Sequence, residues 1–184
     1  EDYRGGTEAV LANRTAVNAV IQMIESARID GLELVVNSSY RSHADQVEIA
    51  EFYRKWYGDS YVENYIAKPG YSEHQTGLVL DLVSTKNQTL TKFIASEEYK
   101  WLCQNAHKYG FYQPYTAKGP GLREHGYNEE KWHWSYFPLS NIYMQKYKEL
   151  ISDEDLKGFL GEKHIGELKV IEHYVLGVAM PPEV

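Results

Sequence analysis

The sequence carries a single cysteine, Cys103, in 184 residues. That excludes an internal disulfide and any metal cage built from several thiolates. A basic excess is missing too: the formal net charge is −7, the opposite of what a nucleic-acid-binding surface needs. No apolar run reaches 18 residues, so nothing reads as a membrane-spanning helix. Internal repeats, low-complexity tracts and clear linkers are also lacking. The first residue is Glu1 rather than Met, as it would be if a leader had been removed or the chain trimmed. Three Asn-x-Ser/Thr triplets, at Asn13, Asn37 and Asn87, are read as chance matches, and Asn13 falls inside an expected helix.

What is present suits one folded domain. The chain is 43% hydrophobic and 24% charged, long enough to bury a single core. Its 16 Tyr and 4 Trp build core and also suit clefts, where an apolar wall needs a hydrogen-bonding tip.

Residues 8–28 place Val10, Val17, Val20, Ile21 and Ile24 on one helical stripe, with Thr7 as cap and Gly31 past the end. Residues 32–37 read as a strand. Ser42 caps a second helix that runs to about Tyr57, with Asp45 completing a capping-box-like pair. A Gly58-Asp59 turn and a loop around Lys68-Pro69-Gly70 follow. Residues 78–83 read as a strand, 96–108 as a helix stopped by Gly110, and 111–113 and 132–136 as strands. Cys103, inside that helix, is expected to be a buried small apolar residue. Residues 116–128 form a surface loop, and the pattern from Pro138 onward is mostly helical, ending in a loose tail at 180–184. Helices mixed with a few short strands predict an α+β fold: a small, largely antiparallel sheet flanked by helices.

Asp81 breaks this apolar pattern. It interrupts the strand Leu78-Val79-Leu80-Asp81-Leu82-Val83 on the face shared by Val79 and Val83. A carboxylate there is costly unless paired or bound to a metal. Taken alone, it also fits a partnered structural Asp. His74 lies seven residues earlier, in the polar stretch Ser72-Glu73-His74-Gln75-Thr76-Gly77 that leads into the strand. His133 sits between Trp132 and Trp134, and its side chain points opposite to both. If the two strands are neighbours, His133 stands beside Asp81. Two His and one carboxylate form a common catalytic zinc shell with one position left for water. Such a site needs a nearby base that is not itself a ligand, and Glu130, three residues before His133, is the candidate. Arg41 falls where the first strand meets the second helix and could grip a carboxylate in two-pronged fashion, although a surface arginine would read the same. His43, His107, His125, His164 and His173 show no partner at a persuasive spacing; His125 is the nearest rival ligand.

Three segments together carry a family pattern: Ser-x-His-x-x-Gly-x-x-x-Asp from Ser72 to Asp81, Glu-x-x-His from Glu130 to His133, and Ser-Tyr-Arg-Ser at 39–42. With Lys68-Pro69-Gly70 and Tyr109-Gly110-Phe111, the sequence resembles the zinc D-alanyl-D-alanine carboxypeptidases of the VanY type, D,D- and L,D-carboxypeptidase branch, over roughly residues 35–137. The resemblance implies one catalytic Zn2+ on His74, Asp81 and His133, and Glu130 as catalytic acid/base. It assigns Arg41, Gln46 and Ser72 to the substrate's peptide end. It implies removal of a C-terminal D-alanine from peptidoglycan stem peptides, outside the cytoplasm, by one domain over 1–184 in which 138–184 is a helical extension. A cell-wall endopeptidase, or a non-catalytic zinc domain of the hedgehog-like fold, are the alternatives; the latter needs neither Glu130 nor Arg41. Two departures stand out: Val79 where the family often has a small residue, and Gln113-Pro114-Tyr115 where it often carries Arg before Tyr-Pro.

Overall fold

The computed structural model describes residues 11–86, 90–159 and 161–181. Thr7, Val10, Asn87 and the end of the tail lie outside the described residues. In chain order the elements are α1 (Arg14–Ile29), β1 (Leu34–Ser38), α2 (His43–Tyr57), α3 (Asp59–Tyr65), β2 (Val79–Ser84), α4 (Leu90–Phe93), α5 (Glu97–Asn105), β3 (Phe111–Tyr112), β4 (His133–Tyr136) and α6 (Phe137–Leu150). The four strands form one sheet in the order β1-β2-β4-β3, and every neighbouring pair is antiparallel. The expected α+β class and antiparallel sheet are what the chain adopts.

The sheet has a dry face and a polar face. Leu80 pairs with Trp134 and Asp81 with His133 across β2 and β4. Strand alternation therefore sends Leu80, Leu82 and Trp134 to one side and Asp81, His133 and Ser135 to the other. The dry side packs against Ala16, Val20, Met23 and Ala27 of α1 and against Trp101 and Leu102 of α5. This corrects the expected α1 stripe: Val17 and Ile24 flank the contact and Ile21 is about half exposed. Small residues at Ala16 and Ala27 let the helix approach the sheet closely, and a pattern search weighted toward large apolar residues overlooks them.

Other local expectations resolve for physical reasons. Asn13 lies before α1 rather than within it. Its extended backbone and its side chain, which accepts from the Thr15 amide at 2.9 Å, make it the cap. The α2 capping box forms as read, the Ser42 hydroxyl accepting from the Asp45 amide and the Asp45 carboxylate from the Ser42 amide. After Gly58 the chain does not stay in a loop; Asp59 opens α3. Cys103 is exposed, because one helical step past the buried Trp101 and Leu102 turns it to solvent. Beyond α6, helix persists only as turns of three to five residues. No helix among the described residues is long and apolar enough to cross a membrane.

Candidate active site

The polar face of the sheet gathers the expected residues. Residues 73–76 form a tight helical turn that ends at Gly77, whose φ of 68° is the left-handed region. Gly77 also passes under the chain before α1: its carbonyl accepts from the Asn13 amide at 2.8 Å, and a Cβ would lie 3.1 Å from that nitrogen. The turn carries His74 over the sheet, above the Asp81–His133 pair.

The three side chains converge through defined atoms. His74 Nε2 and His133 Nδ1 each stand 3.4 Å from Asp81 Oδ1. One ligand atom from each residue fits within 4.8 Å of the others, and all three residues are buried. The second nitrogen of each imidazole is held elsewhere. His74 Nδ1 donates to the Ser39 carbonyl at 2.5 Å, and His133 Nε2 donates to Glu73 Oε2 at 3.1 Å. These partners leave His74 Nε2 and His133 Nδ1 as the lone-pair nitrogens facing the centre. Asp81 Oδ1 and His133 Nδ1 are buried with no hydrogen-bond partner. Two imidazoles, one carboxylate and two orphaned acceptor atoms at one point suit a divalent metal ion.

Charge reinforces the arrangement. Burial works against ionising Asp81, but His74, His133 and Arg41 outweigh it and hold the carboxyl far below its usual range. Burial pushes His74 down, toward the neutral form a ligand must have. Burial also opposes charging His133, yet the neighbouring Asp81 and Glu73 carboxylates win and push it up to about 10. The acidic pair that favours a proton there favours a metal cation in its place.

Glu130 stands beside this centre without joining it. Its Oε2 is 3.6 Å from His133 Nδ1. Burial raises its carboxyl to about 7, with His133 opposing and Asp81 adding to the rise. The backbone of Glu130 is pinned by its amide to the Tyr115 carbonyl at 2.9 Å, and the Tyr115 ring packs 4.8 Å from the His133 ring. Arg41 reaches the same centre from the end of β1. Its Nη2 donates to Asp81 Oδ2 at 2.9 Å and its Nε to Ser38 Oγ at 3.1 Å, with a fifth of the side chain exposed.

Gln46 and Ser72 are both buried. Gln46 donates to the Ala67 carbonyl at 2.8 Å, and its side-chain oxygen has no partner among the described residues. Ser72 opens the turn that holds His74 and lines a cavity of about 1690 Å3, with Glu73, Tyr112, Tyr115, Tyr147 and Tyr174 among its other walls. The rival ligand His125 is elsewhere: its ring stacks on His173 at 3.8 Å. That contact, and the His164–Glu167 pair at 3.1 Å, are partners the spacing did not reveal.

Glu73 is the residue that sequence reasoning missed. It accepts from both His133 Nε2 and the Ser135 hydroxyl, so it orients a ligand from the far side. A carboxylate beside His74 that has no local partner was the available signal.

Comparison with known proteins places this geometry. The family model "VanY: D-alanyl-D-alanine carboxypeptidase" matches residues 10–139. The D-alanyl-D-alanine carboxypeptidase of Enterococcus faecalis is 32% identical over 135 residues, 67% of this chain and 48% of that protein. The chain spans about half the length of the curated relatives it matches. Among solved structures, the LdcB LD-carboxypeptidase superposes with a TM-score of 0.61 at 29% identity, covering 80% of this chain and 71% of that one. A mutant of the vancomycin-resistance D,D-pentapeptidase VanY, in complex with Zn(II), superposes with a TM-score of 0.57 at 28% identity, covering 71% and 75%. With a matched segment that contains His74, Asp81, Glu130 and His133, the chain belongs to the VanY family of D-alanyl-D-alanine carboxypeptidases.

Proposed function

We propose that this protein is a zinc carboxypeptidase that removes the C-terminal residue of peptidoglycan stem peptides, acting outside the cytoplasm. The observation that carries the reading is the convergence of His74 Nε2, Asp81 Oδ1 and His133 Nδ1 with a further buried carboxyl, Glu130, 3.6 Å from one of them. Chain 1–184 acts as one domain, with 138–184 as its C-terminal extension.

His74, Asp81 and His133 hold the ion. A zinc ion supplies a Lewis acid for the scissile carbonyl and brings the pKa of a bound water to about 7. Glu130 takes the proton of the attacking water and returns it to the leaving amine; a carboxyl raised toward 7 by burial suits both transfers. Arg41 pairs with Asp81 through Nη2, and its exposed edge receives the substrate's terminal carboxylate. Gln46 offers its unpartnered oxygen to a peptide N–H, and Ser72 lines the cavity that Glu73 and Tyr115 also wall.

The test is mass spectrometry of products from synthetic tetra- and pentapeptide stems. Loss of one C-terminal residue by wild-type protein, abolished in Glu130→Ala with metal retained, is expected. A fully metallated wild-type protein that cleaves neither peptide would overturn the reading.

A further inference from the structure

Glu130 rides on a stretch of chain with little structure of its own. From Gln113 to Trp132 there is no helix or strand, only an isolated bridge from Lys118 to Arg123. Arg123 ties this loop internally, its Nη1 donating to the His125 carbonyl and its Nη2 to the Thr116 carbonyl, each at 2.7 Å. Proton transfer demands more than a tied loop, because a misplacement of about 1 Å can cost about 10²-fold in rate. The position of Glu130 is therefore set by what packs against the loop.

Much of that packing comes from near the end of the chain. One helical turn, Ile171–Val175, presents His173 and Tyr174 to residues 125–127. The His125 and His173 rings stack with their centres 3.8 Å apart. Gly126, with a φ of 78°, passes so close that a Cβ there would stand 2.7 Å from the His173 carbonyl oxygen. Tyr127 and Tyr174 meet edge to face at 5.2 Å. At the start of the loop the Ala179 amide donates to the Pro114 carbonyl at 2.8 Å. Residues 173–179 thus hold the loop at both ends, and they lie beyond residues 10–139, which the family model matches.

The contacts continue inward to the catalytic carboxyl. Tyr127 packs edge to face on Tyr115 at 6.1 Å, and Tyr115 packs on His133 at 4.8 Å. Tyr174, Tyr127 and Tyr115 form a row of rings, and the Glu130 amide donates to the carbonyl of the innermost one at 2.9 Å. A second outside support is the Asn128 amide, which donates to the Asn64 carbonyl of α3 at 3.1 Å. His133 depends on the row far less: β4 pairs it with Asp81, and Glu73 holds its Nε2. Loosening the row should displace Glu130 and leave the metal ligands in place.

We propose that Tyr174 is a positioning residue for Glu130, its ring holding the catalytic loop through Tyr127 and Tyr115. The proposal rests on the reading of Glu130 as acid/base, and its test separates the two. Zinc-loaded full-length wild type, Tyr174→Ala and Tyr174→Phe are compared on a pentapeptide stem, with circular dichroism to check folding. In Tyr174→Ala, kcat is expected to fall about ten- to hundredfold, part of the roughly 10²–10⁴-fold that a placed base contributes, with KM and zinc affinity within about twofold of wild type. Tyr174→Phe keeps the ring and should restore kcat. Gly126→Ala tests the same contact from the loop side and should lower kcat alike. Unchanged kcat in either folded alanine variant, or a loss matched by an equal loss of bound zinc, would overturn the proposal. So would an equal loss in Tyr174→Phe. If wild type cleaves no stem peptide, the functional reading fails on its own, and hydrogen exchange followed by NMR still decides the positioning. The Glu130 amide should lose protection by about tenfold or more in Tyr174→Ala, while the Leu82 amide, bonded to the Trp132 carbonyl at 2.8 Å, keeps its own. Equal protection of the Glu130 amide in both proteins refutes the positioning role.

Discussion

Glu73 tests the claim that the metal centre is built from behind as well as in front. Its carboxylate holds His133 Nε2 at 3.1 Å and the Ser135 hydroxyl, and so fixes which imidazole nitrogen faces Asp81. Glu73→Gln keeps an acceptor for His133 but removes the charge. Glu73→Ala removes both and leaves the imidazole free to turn. Changes of this kind behind a ligand reduce metal affinity about 10–100-fold, equivalent to about 1.4–2.7 kcal/mol. Glu73→Gln is expected near the lower figure and Glu73→Ala near the upper. Competition against a chromophoric chelator measures zinc affinity directly, and circular dichroism checks that each variant is folded. Zinc affinity within twofold of wild type in both folded variants would refute the reasoning.

Three further outcomes follow from packing and caps. Gly77→Ala must hold a positive φ and push a Cβ to 3.1 Å from the Asn13 nitrogen, so urea denaturation should show a loss exceeding about 1–2 kcal/mol. Leu80→Ala, in the buried core, should cost about 2–5 kcal/mol, while Ile21→Ala on the outer side of α1 should stay within about 0.5 kcal/mol. Ser42→Ala should cost about 1 kcal/mol by removing the α2 cap. The Asp45 carboxyl is lowered by its hydrogen bond to the Ser42 amide. Its contribution is therefore whole above the unfolded value of about 3.9, and is lost as pH falls through the lower folded value. Acid titration of the Asp45→Asn stability difference checks this: a difference that does not shrink below that range would contradict the coupling.

The sequence was most legible where the deciding interaction is local. The α2 capping box joins residues three apart, and its chemistry shows in the spelling. Asp81 and His133 were legible for another reason. Strand alternation fixes which face each side chain takes, so an odd polar residue on an apolar face announces a partner. Glu73 was hidden because its partners, His133 and Ser135, are 60 and 62 residues away. The α1 contact was misjudged because closeness, through Ala16 and Ala27, mattered more than side-chain size. Cys103 shows the limit of residue-type averages: its neighbours Trp101 and Leu102 fill the core, and the helix turns the thiol outward.

The most direct test of the metal centre is elemental analysis of the purified protein. One zinc per chain is expected in wild type, with most of it lost in His133→Ala while the protein stays folded. Absence of bound zinc in protein refolded with zinc, or unchanged metal content in His133→Ala, would contradict the assignment of His74, Asp81 and His133 as ligands.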